Sequence, residues 1–214
     1  MLGRTVVIAL ALTACARGRS EEPLVDARSV DAATQVDAAA QGPDAPTSSS
    51  TCADAFAGTL ATWNLATESG NQASTAATMV VHGITAGAIT RSAGLTAVTG
   101  IGSINSSGWA TTAQRDPAKY YAFTLAPPTG CVLAITGAMI DARSSGTGPV
   151  SASLSTSVDN YAAAATVSTT TAGTVAVTAM AGGMIEIRIY GYAASSSGGT
   201  FRLQNSLAIT GELK

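Results

Sequence analysis

The chain of 214 residues carries one histidine, three cysteines, 11% charged residues and a formal net charge of −2. Each scarcity removes a class of function. With His82 as the sole imidazole and no motif in the sequence that assigns it a serine and an acid, a Ser/His/Asp triad is not expected. The sequence has no Cys-x-x-Cys and no His/Cys cluster, which excludes structural zinc. It also lacks an Asp-x-Asp-x-Asp loop, so calcium has no ready-made site, and Asp116, Asp159, Asn160 and Asn205 are the oxygens that could contribute to one only if the fold brings them together. Cations are too few to form a basic stripe that would concentrate nucleic-acid phosphates, and nucleic acid is not an expected partner. No cofactor, metal or catalytic residue is expected.

What the chain does have is short apolar alternation. Ile185, Ile187 and Ile189 alternate with Glu186, Arg188 and Tyr190, the period of a half-buried strand. Residues 191–199 are rich in glycine and serine, and Phe201 and Leu203 then resume the alternation, so residues 184–204 predict a β-hairpin. Upstream, extended segments are predicted at 59–65, 79–84, 88–91, 120–125 and 132–143, with 94–108 read as a glycine-rich loop closed by Trp109. Ser151, Ser153, Ser155 and Ser157 alternate with Ala152, Leu154, Thr156 and Val158, predicting a strand with a wet serine face. Segments 174–178 and 206–210 complete roughly nine or ten strands with no long helix among them. The fold class is therefore all-β, an antiparallel, jelly-roll-like β-sandwich over residues 52–214.

The amino terminus reads differently. Arg4 precedes a short apolar run, residues 5–12, too short to span a bilayer, and the run ends in Leu12-Thr13-Ala14-Cys15. This resembles the lipobox of bacterial lipoproteins. The resemblance implies a signal peptide over 1–14, with Cys15 lipidated as the first mature residue; the alternative is ordinary cleavage nearby. Each acyl CH₂ buried in the membrane would add about 0.8 kcal/mol. Residues 15–51 have no periodic apolar face, only Val-Asp-Ala repeats and a Pro/Ser-rich end, and are expected to be a disordered tether. Ala16 after the cysteine, where some envelopes use aspartate to retain a lipoprotein in the inner membrane, favours the outer membrane.

Lipidation of Cys15 leaves Cys52 and Cys131, an even pair in an oxidising compartment, either bridged or packed as two thiols. A bridge would close a loop of roughly 80 residues, worth about 4.5 kcal/mol in the chain-entropy account.

Several motifs also resemble a family of secreted bacterial β-sandwich domains found in surface proteins with carboxy-terminal sorting tails. They are the run Gly100-Ile101-Gly102-Ser103-Ile104-Asn105-Ser106-Ser107-Gly108-Trp109, Tyr121-Ala122-Phe123-Thr124, Ser157-Val158-Asp159-Asn160-Tyr161 and Arg188-Ile189-Tyr190-Gly191-Tyr192. The chain departs from that pattern at Cys131, where an aromatic is usual, and in having no sorting tail after Leu213-Lys214. An amino-terminal lipid anchor would replace the tail. The family has no settled activity, so the resemblance implies a fold and a surface location.

Function is then sought on the wet face of the 185–190 strand. Glu186, Arg188, Tyr190 and Tyr192 combine aromatic rings with charged hydrogen-bonding groups, the combination a sugar-binding face uses. The alternative for Glu186 with Arg188, and for Asp141 with Arg143, is cross-strand ion pairing. A glycosidase would need two carboxylates from Asp116, Asp141, Asp159 and Glu186, and nothing in their spacing singles out a pair. The expected function is a lipid-anchored, non-enzymatic surface module that binds polysaccharide or another envelope component. A structural protein that recruits a protein partner is the alternative, and a glycoside hydrolase ranks behind both.

Overall fold

A computed structural model describes residues 52, 53 and 55–214. The signal peptide, the tether and the lipidation at Cys15 fall outside the described residues. The strands in chain order are β1 (Phe56–Asn64), β2 (Ser69–Gly70), β3 (Ser74–Thr75), β4 (Met79–Val80), β5 (Thr85–Ala86), β6 (Ile89–Arg91), β7 (Thr96–Ala97) and β8 (Ser103–Ser107). They continue as β9 (Tyr120–Ala126), β10 (Leu133–Ser144), β11 (Pro149–Thr156), β12 (Ala165–Val167), β13 (Ala172–Ala181), β14 (Ile185–Ala194) and β15 (Phe201–Leu213).

Two sheets pack face to face. One runs β13-β10-β15-β1-β4, with β8 added on β15 and β2 and β7 on β8; the other runs β12-β11-β14-β9-β6-β3, with β5 on β9. Pairing is antiparallel throughout except between β2 and β8. From β8 onward every connection but β11–β12 crosses from one sheet to the other, the alternation of a jelly roll. The strands present apolar residues inward at a period of two, and these residues fill the space between the sheets. Trp63 packs on Phe123 with ring centres 4.7 Å apart, and Trp109 meets Phe201 edge-on at 5.3 Å. Both indoles are fully buried, and each donates its N–H to a backbone oxygen, Gly87 O at 3.1 Å and Ser106 O at 2.8 Å.

The hairpin expected at 184–204 does not form. β14 pairs with β11 and β9, whereas β15 pairs with β1, β10 and β8 in the other sheet. The two apolar faces, Ile185/Ile187/Ile189 and Phe201/Leu203, face each other across the core instead of lying side by side. Alternation specifies which face is buried but not which neighbour it meets. The connection between them is pressed against the β10–β11 turn, where a β-carbon on Gly199 would collide with the Thr147 carbonyl. β15 then absorbs the separately expected 206–210 strand by passing through Asn205 in a left-handed conformation, φ 57°.

Ser103–Ser107, read as loop, is a strand. Its residues are poor strand formers, so tertiary pairing overrides propensity: β8 docks along the first residues of β15, and Ile104 fills the core. The buried end of this edge is held by Arg91 from the other sheet. Its guanidinium donates to Asn105 O (3.0 Å), Ser106 Oγ (2.8 Å) and the carbonyls of Gly70 and Gln72. Burial pulls the Arg91 pKa down.

Cys52 and Cys131 are bridged, with sulfurs 2.00 Å apart and Cα atoms at 4.8 Å. The bond ties the start of the domain to the residues entering β10.

Candidate functional site

The site lies on the outer face of the β14 sheet. Glu186, Arg188, Tyr190 and Tyr192 occupy successive outward positions of β14. Glu186 Oε1 accepts from Arg188 Nε at 2.6 Å. The pair therefore lies along one strand rather than across two. Asp141 and Arg143 do the same on β10 at 2.7 Å, close as an ion pair though not aligned as a hydrogen bond.

Arg188 is clasped between aromatic rings. Its guanidinium carbon is 4.2 Å from the centre of Tyr120 and 3.9 Å from that of Tyr161. Antiparallel register sets Tyr120 directly across from Tyr190, with ring centres 5.7 Å apart. On the far side Arg115 lies 5.3 Å from the Tyr190 ring. The order Tyr161–Arg188–Tyr120–Tyr190–Arg115 is thus a continuous stack, each cation–ring contact adding about 0.5–2 kcal/mol. Burial lowers the Arg188 pKa, but the hydrogen bonds to Glu186 and Tyr190 more than offset it, so the net shift is upward.

Two loops bring the outer members of this stack into place. Arg115 Nη1 donates to Ser155 Oγ at 2.5 Å, and Ser155 donates to Ala163 O at 2.6 Å. Ser155 is therefore buried under these loops, and Ser153 is buried too, in place of the wet serine face the alternation predicts. The second loop delivers Tyr161 through two consecutive left-handed residues, Asn160 at φ 56° and Tyr161 at φ 61°. Asparagine tolerates that conformation; a bulky tyrosine pays roughly 1–3 kcal/mol for it, a strain that recurs at ligand clamps. Tyr161 N bonded to Thr156 O and Ala163 N bonded to Asp159 Oδ2 hold the turn. Burial, and then the charge of Glu186, push the Tyr161 pKa up.

The stack borders a cavity of about 530 Å³ lined by Arg115, Pro117, Asn160, Tyr161, Arg188 and Tyr190. Two smaller depressions lie near it: one of about 290 Å³ includes Tyr120 and Glu186, and one of about 380 Å³ shares Arg115 with the cavity and includes Tyr192. The three follow the outward positions of β14, which extend about 20 Å from Glu186 to Tyr192. On the other sheet Arg143 and Arg202 are cross-strand neighbours in a depression of about 270 Å³ with no aromatic in its lining.

Glu186, Arg188 and Tyr190 are brought together, although Tyr190 is only 4% exposed and offers no free ring face. Tyr192 stands in the adjoining depression, joined to the main cavity through Arg115. Sequence reasoning missed Arg115, Tyr120, Asn160 and Tyr161. Tyr120 was legible as an outward position of a strand; the loop residues had no such signal. The remaining acids are held elsewhere: Asp116 accepts from Ala118 N at 2.9 Å, and Asp141 accepts from Asn205 Nδ2 at 2.6 Å. Among the described residues no three His, Cys, Asp or Glu side chains converge as a metal site would require. Compared with protein-family models, with curated proteins and with solved structures, the chain matches none.

Proposed function

We propose that the protein is a lipid-anchored cell-surface module whose β-sandwich binds polysaccharide without altering it. The observation that carries this reading is the row of three neighbouring depressions along β14, aromatic and hydrogen-bonding surfaces spaced to suit a chain of linked rings. The conformational cost accepted at Tyr161 supports it, since that strain closes the cavity wall and serves no packing in the core. A non-catalytic role is favoured because the four acids considered for glycoside hydrolysis each have a donor or cation already in place. Anchoring rests on the lipobox-like Leu12-Thr13-Ala14-Cys15; Ala16 supports the outer membrane, and the resemblance to surface-protein domains supports a surface-facing position.

Pull-down of the full chain on a panel of insoluble bacterial and host polysaccharides tests the binding role. Retention by one of them, lost in Tyr161→Ala and Tyr192→Ala, is the expected result. Failure across the panel removes the reading, and co-purification with one stoichiometric envelope protein would replace it with an assembly role. Turnover of soluble chromogenic sugars would replace it with a glycosidase. For the anchor, metabolic labelling with a fatty-acid analogue should mark the wild type and not Cys15→Ser; equal labelling of both contradicts lipidation at that residue.

A further inference from the structure

We propose that the β14 groove selects acidic polysaccharides, and that Arg115 is the residue that receives a sugar carboxylate. This rests on the polysaccharide reading above and narrows it to one chemical class. Neutral sugars stack their apolar faces on bare aromatic planes. Here one face of each of three rings is taken by a cation: Arg188 lies over Tyr120 and Tyr161, and Arg115 over Tyr190. What the main cavity adds to these rings is two guanidinium groups, Arg188 between Tyr120 and Tyr161 and Arg115 beside Tyr190.

The charges of the site do not balance. Arg188 is matched by Glu186, but Arg115 meets no carboxylate within ion-pair distance among the described residues; its one side-chain hydrogen-bond partner is the hydroxyl of Ser155. Asp116, its neighbour in sequence, is turned to Ala118 N and to Lys119. The cavity thus holds one uncompensated cation on a half-buried surface, where screening by water is reduced and a counter-charge is favoured. A guanidinium fork donates in parallel to the two oxygens of a planar carboxylate, and the hydrogen bond to Ser155 with the Tyr190 ring beside it positions the fork before the ligand arrives. The flanking depressions, with Tyr120 and Glu186 on one side and Tyr192 on the other, would take the adjoining sugars of the polymer.

The test is equilibrium binding of the full chain to soluble polygalacturonate, dextran sulfate and neutral dextran. Polygalacturonate should bind, dextran should not, and affinity should fall as ionic strength rises. Arg115→Gln should weaken polygalacturonate binding by about tenfold or more, the loss of a charge-assisted hydrogen-bonded pair. Arg115→Lys should recover part of it, and Arg202→Gln, on the opposite sheet, should leave it unchanged. Equal binding of dextran overturns acid selection while leaving the polysaccharide reading intact. Tighter binding of dextran sulfate, equally sensitive to Arg115, reassigns the anion as a sulfate ester. Full affinity in Arg115→Gln overturns the residue assignment, and no binding of any polymer, here or in the pull-down, removes both readings.

Discussion

The Arg188 guanidinium lies 3.9 Å from the centre of the Tyr161 ring, and the two residues meet only because a turn on β11's far end places Tyr161 in the left-handed region. A charged group on the outer face of a sheet is thereby enclosed on both sides, with Tyr120 completing the clasp.

Replacing Arg188 with Met should cost about 1–2 kcal/mol, because it removes two ring contacts and leaves the half-buried Glu186 without its partner. Arg188→Lys should recover little, since an ammonium lacks the flat face that both rings cover. Urea denaturation of the two variants measures this; wild-type stability in Arg188→Met would mean the stack is ornamental to the fold.

Arg91→Met should be more damaging, by about 3 kcal/mol or more, because it strips donors from several buried acceptors of β8 and the β2 region at once. The expected sign beyond lower stability is local: amide exchange along β8 should accelerate before exchange along β9. Uniform acceleration would show that Arg91 does not act as the staple of that edge.

Reduction of Cys52–Cys131 should lower stability by up to about 4.5 kcal/mol and the Tm by roughly 10 °C. The bridge spans 79 residues and encloses the first nine strands, whose pairing is largely non-local. A melting curve indifferent to reductant contradicts a stabilising role.

Tyr121 is fully buried and donates to Phe201 O at 2.7 Å; burial pushes its pKa far above the usual value of 10.0. A tyrosine with a raised folded pKa contributes stability that is complete below the unfolded pKa and is lost as pH climbs toward the folded one. Unfolding free energy should therefore be flat with respect to this group up to about pH 9 and decline above about pH 10. In Tyr121→Phe the alkaline decline should be shallower from a lower starting stability. An identical slope in both proteins would assign the decline to other groups.

The sandwich was legible because Ile185, Ile187, Ile189, Phe123 and Leu125 mark inward faces at a period of two, a signal local to each strand. Which strands neighbour one another was not, since the same alternation satisfies a hairpin or a crossing between sheets, and β14–β15 chose the crossing. The central part of the site followed from the strand period: Glu186, Arg188 and Tyr190 do share a face. Its outer parts, Arg115 and Tyr161, sit on loops whose conformations depend on tertiary contacts such as the Ser155 hydroxyl, and no local pattern encodes those. The serine face of β11 misled for the same reason, because a wet face in sequence became a platform under two loops.

The central claim is that the Arg–Tyr groove of β14 is the ligand site, and side-chain NMR tests it directly. Arginine Nε–Hε resonances of the full chain, assigned by single substitutions, are followed as a bound polysaccharide is titrated in. The account predicts shifts at Arg115 and Arg188, with Arg143 and Arg202 on the opposite sheet unmoved. Shifts confined to Arg143 and Arg202, or binding with no change at Arg115 and Arg188, would contradict it.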